Sequence, residues 1–123
     1  MNVLVDTSVW IRFFANRPPY AAELDRLLSR EEASGHELVF GELLIGDKGG
    51  RRSFLDSYDL LHQAPTISHR EVIAFVRERR LHGRGIGWID AQLLASALVA
   101  RLPFWTADPR LALVARELAI SYE

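Results

Sequence analysis

Four acidic residues follow or open apolar segments, at positions where carboxylates can meet and hold a cation. Asp6 comes directly after the apolar run Val3–Val5, and Asp108 follows a second such run in "FWTADPRL". Asp90 opens the apolar stretch in "GIGWIDAQLLASAL", and Glu42 lies in "VFGELLIG". In open parallel sheets, ligands bind outside the carboxyl ends of the strands. Oxygen ligands without thiolates suit Mg²⁺ or Mn²⁺, so the pattern predicts a hard-metal site.

Each of these acids also has a purely structural interpretation. Asp6 and Asp108 precede helices and can act as N-caps, the latter with proline at the first helical position. The helix dipole favours Asp90 in a first turn, and Glu42 can be a solvated helix residue. Taken singly, the structural interpretation is the commoner one. Taken together, four acids without an obvious cationic partner favour a metal site, because closely packed like charges repel one another.

Short apolar strands alternate with helices along the chain. Strands are predicted at Val3–Val5, His36–Val39, Pro65–Ile67, Pro103–Thr106 and Ala119–Tyr122. Helices are predicted at Ser8–Asn16, Tyr20–Arg30, Phe40–Gly46, Arg52–His62, His69–His82, Ile89–Leu102 and Pro109–Leu118. This alternation is typical of a parallel sheet covered on both faces. We expect an α/β fold, a three-layer α/β/α sandwich whose mostly parallel central sheet has four or five strands.

Composition limits the kinds of protein that the chain can be. It has 123 residues, 49% of them hydrophobic and 25% charged, which predicts a single globular domain over residues 1–123. It contains no cysteine and no apolar run of membrane-spanning length, so we expect a cytoplasmic protein without disulfides. The net charge of −1 excludes a polycation that holds nucleic acid by charge alone. Arginine outnumbers lysine fourteen to one, which indicates either phosphate recognition or a coding bias.

The motifs "VLVDTSVWI", "ELLIG", "GIGWIDAQLLASAL" and "WTADPRL", in this order, resemble those of the PIN-domain ribonucleases. Within that family the chain looks most like the VapC toxins of type II toxin–antitoxin modules, over nearly its whole length. The resemblance implies that Asp6, Glu42, Asp90 and Asp108 form the family's acidic quartet, with Asp6 and Asp90 as the leading metal ligands. It implies that the hydroxyls of Thr7 and Thr106 support these acids.

The resemblance also implies an activity and partners. The family cleaves RNA with Mg²⁺ or Mn²⁺, usually as a homodimer, and a cognate VapB-like antitoxin blocks the site. RNA requires cations beside an acidic pocket, and the candidates are Arg79, Arg80, Arg84 and Arg110, each of which can equally belong to a solvated helix face. The four histidines lie away from the acidic motifs and are interpreted as surface or capping residues: His36, His62, His69 and His82.

Other interpretations remain. A non-catalytic binding module with the same fold would keep the metal for docking a partner, and another acid-pocket phosphoryl-transfer enzyme would also gather acids at strand ends. A receiver-type phosphotransfer domain would want adjacent acids after the first strand, where this chain has Asp6 followed by Thr7. A dehalogenase-like phosphatase would show Asp-x-Asp where this chain reads Asp-Thr-Ser.

Overall fold

The sheet consists of four parallel strands. The computed structural model describes all 123 residues, Met1–Glu123. The strands are β1 (Val3–Val5), β2 (Ala33–Gly35), β3 (His62–Gln63) and β4 (Phe104–Trp105). They lie in the order β3-β2-β1-β4, and β1 is central, with Leu4 paired to Ser34 on one side and to Phe104 on the other. All three residues of β1 are buried, which explains its unbroken apolar sequence.

Seven helices pack around this sheet in two groups. They are α1 (Thr7–Phe14), α2 (Tyr20–Ser29), α3 (Glu37–Ile45), α4 (Arg52–Ser57), α5 (His69–Glu78), α6 (Trp88–Ala100) and α7 (Pro109–Glu117). Helix α1 contacts α2 and α3, and α3 contacts α4, whereas α5 packs against α6. The expected α/β sandwich around a four-stranded parallel sheet is confirmed.

Helix α6 is the most deeply buried helix of the fold. Six of its thirteen residues are buried, and Leu93 and Leu94 are fully inaccessible. Its sequence is apolar around most of its circumference because most of its sides face protein. On this mostly apolar helix, Asp90 is a partly buried and Ser96 a fully buried polar residue.

The prediction of a second strand at His36–Val39 was wrong. The strand ends at Gly35, and α3 begins at Glu37, three residues before the predicted start at Phe40. The cause is His36, whose backbone is extended (φ −152°, ψ 140°) and whose ring accepts a hydrogen bond from the Leu38 N–H. The apolar residues after it bury one helical face and not one strand face.

Three other expectations also differ from the structure. Residues Pro65–Ile67 form no strand, since the edge strand is β3, three residues earlier. The predicted helix Arg52–His62 ends at Ser57 and continues only as a 3₁₀ turn at Tyr58–Leu60. The predicted last strand is reduced to one parallel bridge between Phe104 and Ser121.

The strand order creates one place where the direction of winding reverses. The chain passes from β1 to β2 and β3 on one side, then returns to place β4 on the other side of β1. Such a switch point opens a crevice at the carboxyl ends of the two strands. Asp6 lies at the end of β1 and Thr106 at the end of β4, so both border this crevice. No helix of the chain combines the length and the hydropathy that crossing a bilayer requires.

Candidate active site

Asp6 is fixed at the end of β1 by hydrogen bonds to one of its two carboxylate oxygens. It is 5% exposed and caps α1. Its Oδ2 accepts from the Ser8 hydroxyl at 2.6 Å, the Ser8 N–H at 3.4 Å and the Thr106 hydroxyl at 2.8 Å. No protein donor reaches its Oδ1.

Thr106 connects the ends of β1 and β4. Its hydroxyl donates to Asp6 and accepts from the Asp108 N–H at 3.1 Å. Asp108 then caps α7, because its Oδ1 accepts from the N–H groups of Arg110 at 2.8 Å and Leu111 at 3.3 Å. The capping interpretation of both aspartates is therefore correct, and each cap uses only one carboxylate oxygen.

Glu42 joins the site from α3. Its Oε1 accepts a 2.6 Å hydrogen bond from the hydroxyl of Thr7, the first residue of α1. This bond holds a half-buried glutamate beside the start of α1, immediately after Asp6. Its Oε2 has no protein donor.

Asp90 enters the site from the first turn of α6. Its Oδ2 accepts from the Gly87 N–H at 2.8 Å, which closes the start of the helix. Burial raises the pKa of the Asp90 carboxyl above its ordinary range, whereas the Gly87 hydrogen bond lowers it. The negative charges of the other three acids raise this pKa further, so all three lie within electrostatic range of Asp90.

No cationic side chain forms an ion pair with the four acids. The ion pairs of the chain are Met1 to Glu32, Arg26 to Glu23, Arg52 to Asp56 and Arg84 to Glu117. None involves the quartet, whose hydrogen bonds come from backbone N–H groups and hydroxyls. The arrangement therefore concentrates negative charge at the switch point of the sheet.

The donor chemistry of this quartet fits a hard divalent cation. Four carboxylates supply only oxygen, each with one oxygen free of protein donors, and such ligands suit Mg²⁺ or Mn²⁺. As placed, no three histidine or acidic side chains are close enough to complete a coordination sphere. Because like charges repel, a cation would have to draw these carboxylates closer together before they could ligate it.

The four predicted RNA-binding arginines have different surroundings. Arg79 and Arg80 are exposed at the end of α5 and form no ion pair. Arg84 binds Glu117 of α7 through two hydrogen bonds of 2.6 and 2.7 Å. Arg110 is exposed beside Asp108, and its side chain lies so close to Gly85 that a Cβ there would meet Nη1 at 2.8 Å.

Two residues at the site were not among the predicted ones, and a third residue, His36, had been interpreted as a surface or capping residue. Ser8 donates to Asp6 and accepts from the Ala107 N–H at 2.9 Å, so it ties α1 to the segment after β4. Arg12 lines the open cleft beside Asp108, together with Arg110. His36 caps α3 from a fully buried position. The hydroxyl pair in "DTS" was a visible signal for Ser8, whereas nothing local in the sequence marks Arg12.

Comparison with known proteins identifies the family. The sequence model of the PIN domain family matches residues 3–117 of this chain. The chain belongs to the PIN domain family. All four acids lie within the matched part of the PIN domain. Ribonuclease VapC32, found in two strains of Mycobacterium tuberculosis, is 42% identical over 120 residues, which cover 97% of this chain and 94% of that protein. The predicted resemblance to PIN domains of the VapC type is therefore confirmed.

A solved structure shares the fold of this PIN domain. The crystal structure of PAE2754 from Pyrobaculum aerophilum matches with a TM-score of 0.57 at 19% identity, covering 97% of this chain and 96% of that one. At this identity the match supports the fold alone.

Proposed function

We propose that the chain is a metal-dependent endoribonuclease whose site is the quartet Asp6, Glu42, Asp90 and Asp108. The observation that carries this proposal is the grouping of four acids at the switch point: burial raises the pKa of Asp90, the other three carboxylates raise it further, and none of the four forms an ion pair. The similarity to a VapC ribonuclease supports RNA as the substrate.

The residues divide the work by position. Asp6 and Asp90 would be the leading ligands of Mg²⁺ or Mn²⁺, with Asp108 and Glu42 completing the set directly or through water. When bound, the cation supplies positive charge to the scissile phosphate and acidifies the attacking water. Thr106 holds Asp6 in one orientation, and Thr7 does the same for Glu42.

The phosphate of RNA brings its own negative charge, so cations must offset the repulsion between the quartet and the substrate. Arg79, Arg80 and Arg110 are the proposed phosphate contacts, because each is exposed and without an acidic partner. Arg84 would have to leave Glu117 before it could bind a phosphate.

A cleavage assay with metal titration tests the activity. We expect the purified chain to cut RNA with Mn²⁺ or Mg²⁺, to stop in EDTA, and to lose at least about 100-fold in kcat on Asp6→Asn. Asp25→Asn, on the exposed face of α2, is the matched control and should be fully active. Cleavage that persists in EDTA would contradict the metal-dependent mechanism.

We propose further that the chain is the toxin of a type II module and acts in the cytoplasm as a homodimer. A VapB-like antitoxin would then bind it and block the site. Expression of the chain alone should stop growth, and co-expression with the product of an adjacent small gene should restore it. Asp6→Asn should be harmless in the same host, and light scattering of the purified protein would give the oligomeric state.

A further inference from the structure

His36 is a fully buried histidine that bonds to two helices at once. It follows β2, and its Nδ1 accepts from the Leu38 N–H at 3.0 Å, which caps α3. Its Nε2 lies 2.9 Å from the hydroxyl of Ser96, which is also fully buried and lies on α6. The Tyr58 hydroxyl accepts from the backbone N–H of His36 at 3.0 Å, so the backbone on this side is satisfied as well.

These contacts fix the protonation of the ring. Because Nδ1 accepts a hydrogen from a backbone amide, the proton of a neutral imidazole must be on Nε2, which then donates to Ser96. Burial lowers the pKa of His36, while the charge of Glu37 and the Pro65 carbonyl act in the opposite direction. The ring is therefore neutral near pH 7, with an acceptor facing α3 and a donor facing α6.

We propose that His36 is a positioning residue that couples α3 to α6 through Ser96 and thereby sets the separation of Glu42 and Asp90. This inference rests on the proposed function. Glu42 lies six residues after His36, and Asp90 lies six residues before Ser96, so each acid is about 9 Å along its helix from the coupling bond. A packed helix moves as a unit over such a length, so a shift at the bond is passed on to both carboxylates.

Neither capping nor packing alone requires a histidine at this position. Serine, asparagine or aspartate would cap α3 as well or better, and a leucine would fill apolar space. Only imidazole offers an acceptor and a donor on different edges of one rigid ring. The geometry thus uses both nitrogens, one for α3, which carries Glu42, and one for α6, which carries Asp90.

Truncation of Ser96 separates coupling from capping. Ser96→Ala removes the α6 partner and leaves the His36 cap on α3. Ser34→Ala is the matched control, since Ser34 is an equally buried serine whose hydroxyl bonds only to the exposed His62 ring at 2.8 Å. The measurements are Mn²⁺ affinity by calorimetry, kcat and KM for RNA, and amide hydrogen exchange of α3 and α6 in the metal-free protein.

We expect Ser96→Ala to weaken Mn²⁺ binding and to lower kcat by about tenfold each, with KM little changed, as for groups that orient metal ligands. Amide exchange should accelerate in both α3 and α6. In His36→Asn the asparagine still accepts a hydrogen bond at the N-cap but is too short to reach Ser96. This variant should therefore lose as much Mn²⁺ affinity and kcat as Ser96→Ala. The double variant should lose no more Mn²⁺ affinity or kcat than either single variant, because both substitutions break the same bond between His36 and Ser96.

If Ser96→Ala and Ser34→Ala have the same Mn²⁺ affinity, the same kcat and the same amide exchange rates, the inference is overturned. The bond between His36 and Ser96 would then contribute to stability alone. A wild-type chain that neither binds Mn²⁺ nor cuts RNA would overturn the proposed function instead. In that case the exchange data would still decide whether His36 couples the two helices.

Discussion

Asp90→Asn should make the metal-free protein more stable and the metal-loaded protein less stable than wild type. Asparagine keeps the volume of the side chain and an oxygen for the Gly87 N–H, so neither a cavity nor a lost hydrogen bond is created. The substitution removes a charge that burial and three neighbouring carboxylates disfavour. Two opposing contributions therefore determine the change in the free energy of unfolding. Relief of the repulsion stabilises the variant, and loss of an anion from the first turn of α6 destabilises it.

The size of each contribution can be bounded. Two unit charges about 10 Å apart in water still repel by about 0.4 kcal/mol before screening, so three neighbours together contribute about 1 kcal/mol at low salt. Desolvation of the half-buried carboxylate adds to this, while the lost interaction with the helix dipole subtracts about 0.3–1 kcal/mol. We expect a net gain of about 1 kcal/mol, which raises Tm by about 4 °C in a domain of this size.

Thermal unfolding at low ionic strength, with EDTA and then with Mn²⁺, measures both halves of the prediction. In EDTA the variant should melt above wild type, and added NaCl should reduce the difference. At Mn²⁺ concentrations 100 times Kd, wild type gains about 2.7 kcal/mol and the order of the two proteins reverses.

Glu71→Gln is the matched control for this experiment. Glu71 occupies the same first-turn position in α5, where it bonds to the capping residue Ser68, but it is exposed and away from the quartet. The free energy of unfolding of Glu71→Gln should be lower than that of wild type by a few tenths of a kcal/mol, with or without Mn²⁺. If Asp90→Asn behaves like this control in both buffers, Asp90 is a helix cap only and the reasoning about the quartet is refuted.

Three further outcomes test the surroundings of the site. Thr106→Val should destabilise the chain by about 2 kcal/mol in urea unfolding, because a donor to the buried Asp6 carboxylate is lost, and Thr106→Ser should restore most of it. Burial lowers the pKa of His36, so the unfolded state binds more protons than the folded state, and the free energy of unfolding should fall as the pH drops below about 6.5. In His36→Asn this dependence of the unfolding free energy on pH should be weaker. Arg84→Ala should leave the urea midpoint almost unchanged because its ion pair is exposed to solvent. Glu117→Gln, which frees Arg84, should lower KM for RNA.

The positions of Asp6 and Asp108 at the ends of strands and the starts of helices could be predicted from the sequence because their signals are local. An apolar strand ending in aspartate and an aspartate before proline are recognised within a few residues, and a parallel sheet brings such strand ends together. The start of α3 could not be placed, since it depends on His36, whose ring partner Ser96 is 60 residues away. Without that partner, His36–Val39 has the composition of a strand, and the apolar run was assigned accordingly.

The hydrogen bonds between distant residues at Asp6 could also not be predicted from the sequence. Thr106 donates to Asp6 across 100 residues of chain, and Ser8 accepts from a backbone amide 99 residues away. Side-chain bonds of this kind follow from the register of β1 against β4, which no local pattern specifies. The hydroxyl positions were predicted through family resemblance, whereas their hydrogen-bond partners required coordinates.

Helix capping and cation binding are compatible roles for the aspartates of this site, because each role uses a different oxygen. Asp6, Asp90 and Asp108 all lie at helix N-termini, where backbone N–H groups bind one oxygen and the partial positive charge of the helix offsets part of the carboxylate charge. Three helix ends thus supply partial positive charge to acids that form no ion pair with a lysine or arginine, and they leave the second oxygen of each acid available. The compensation is incomplete, since the pKa of Asp90 is raised by burial and, in addition, by the charges of the other three acids. That residual charge is what would favour a divalent cation over water, and it would be lost if an arginine were introduced within ion-pairing distance of the quartet.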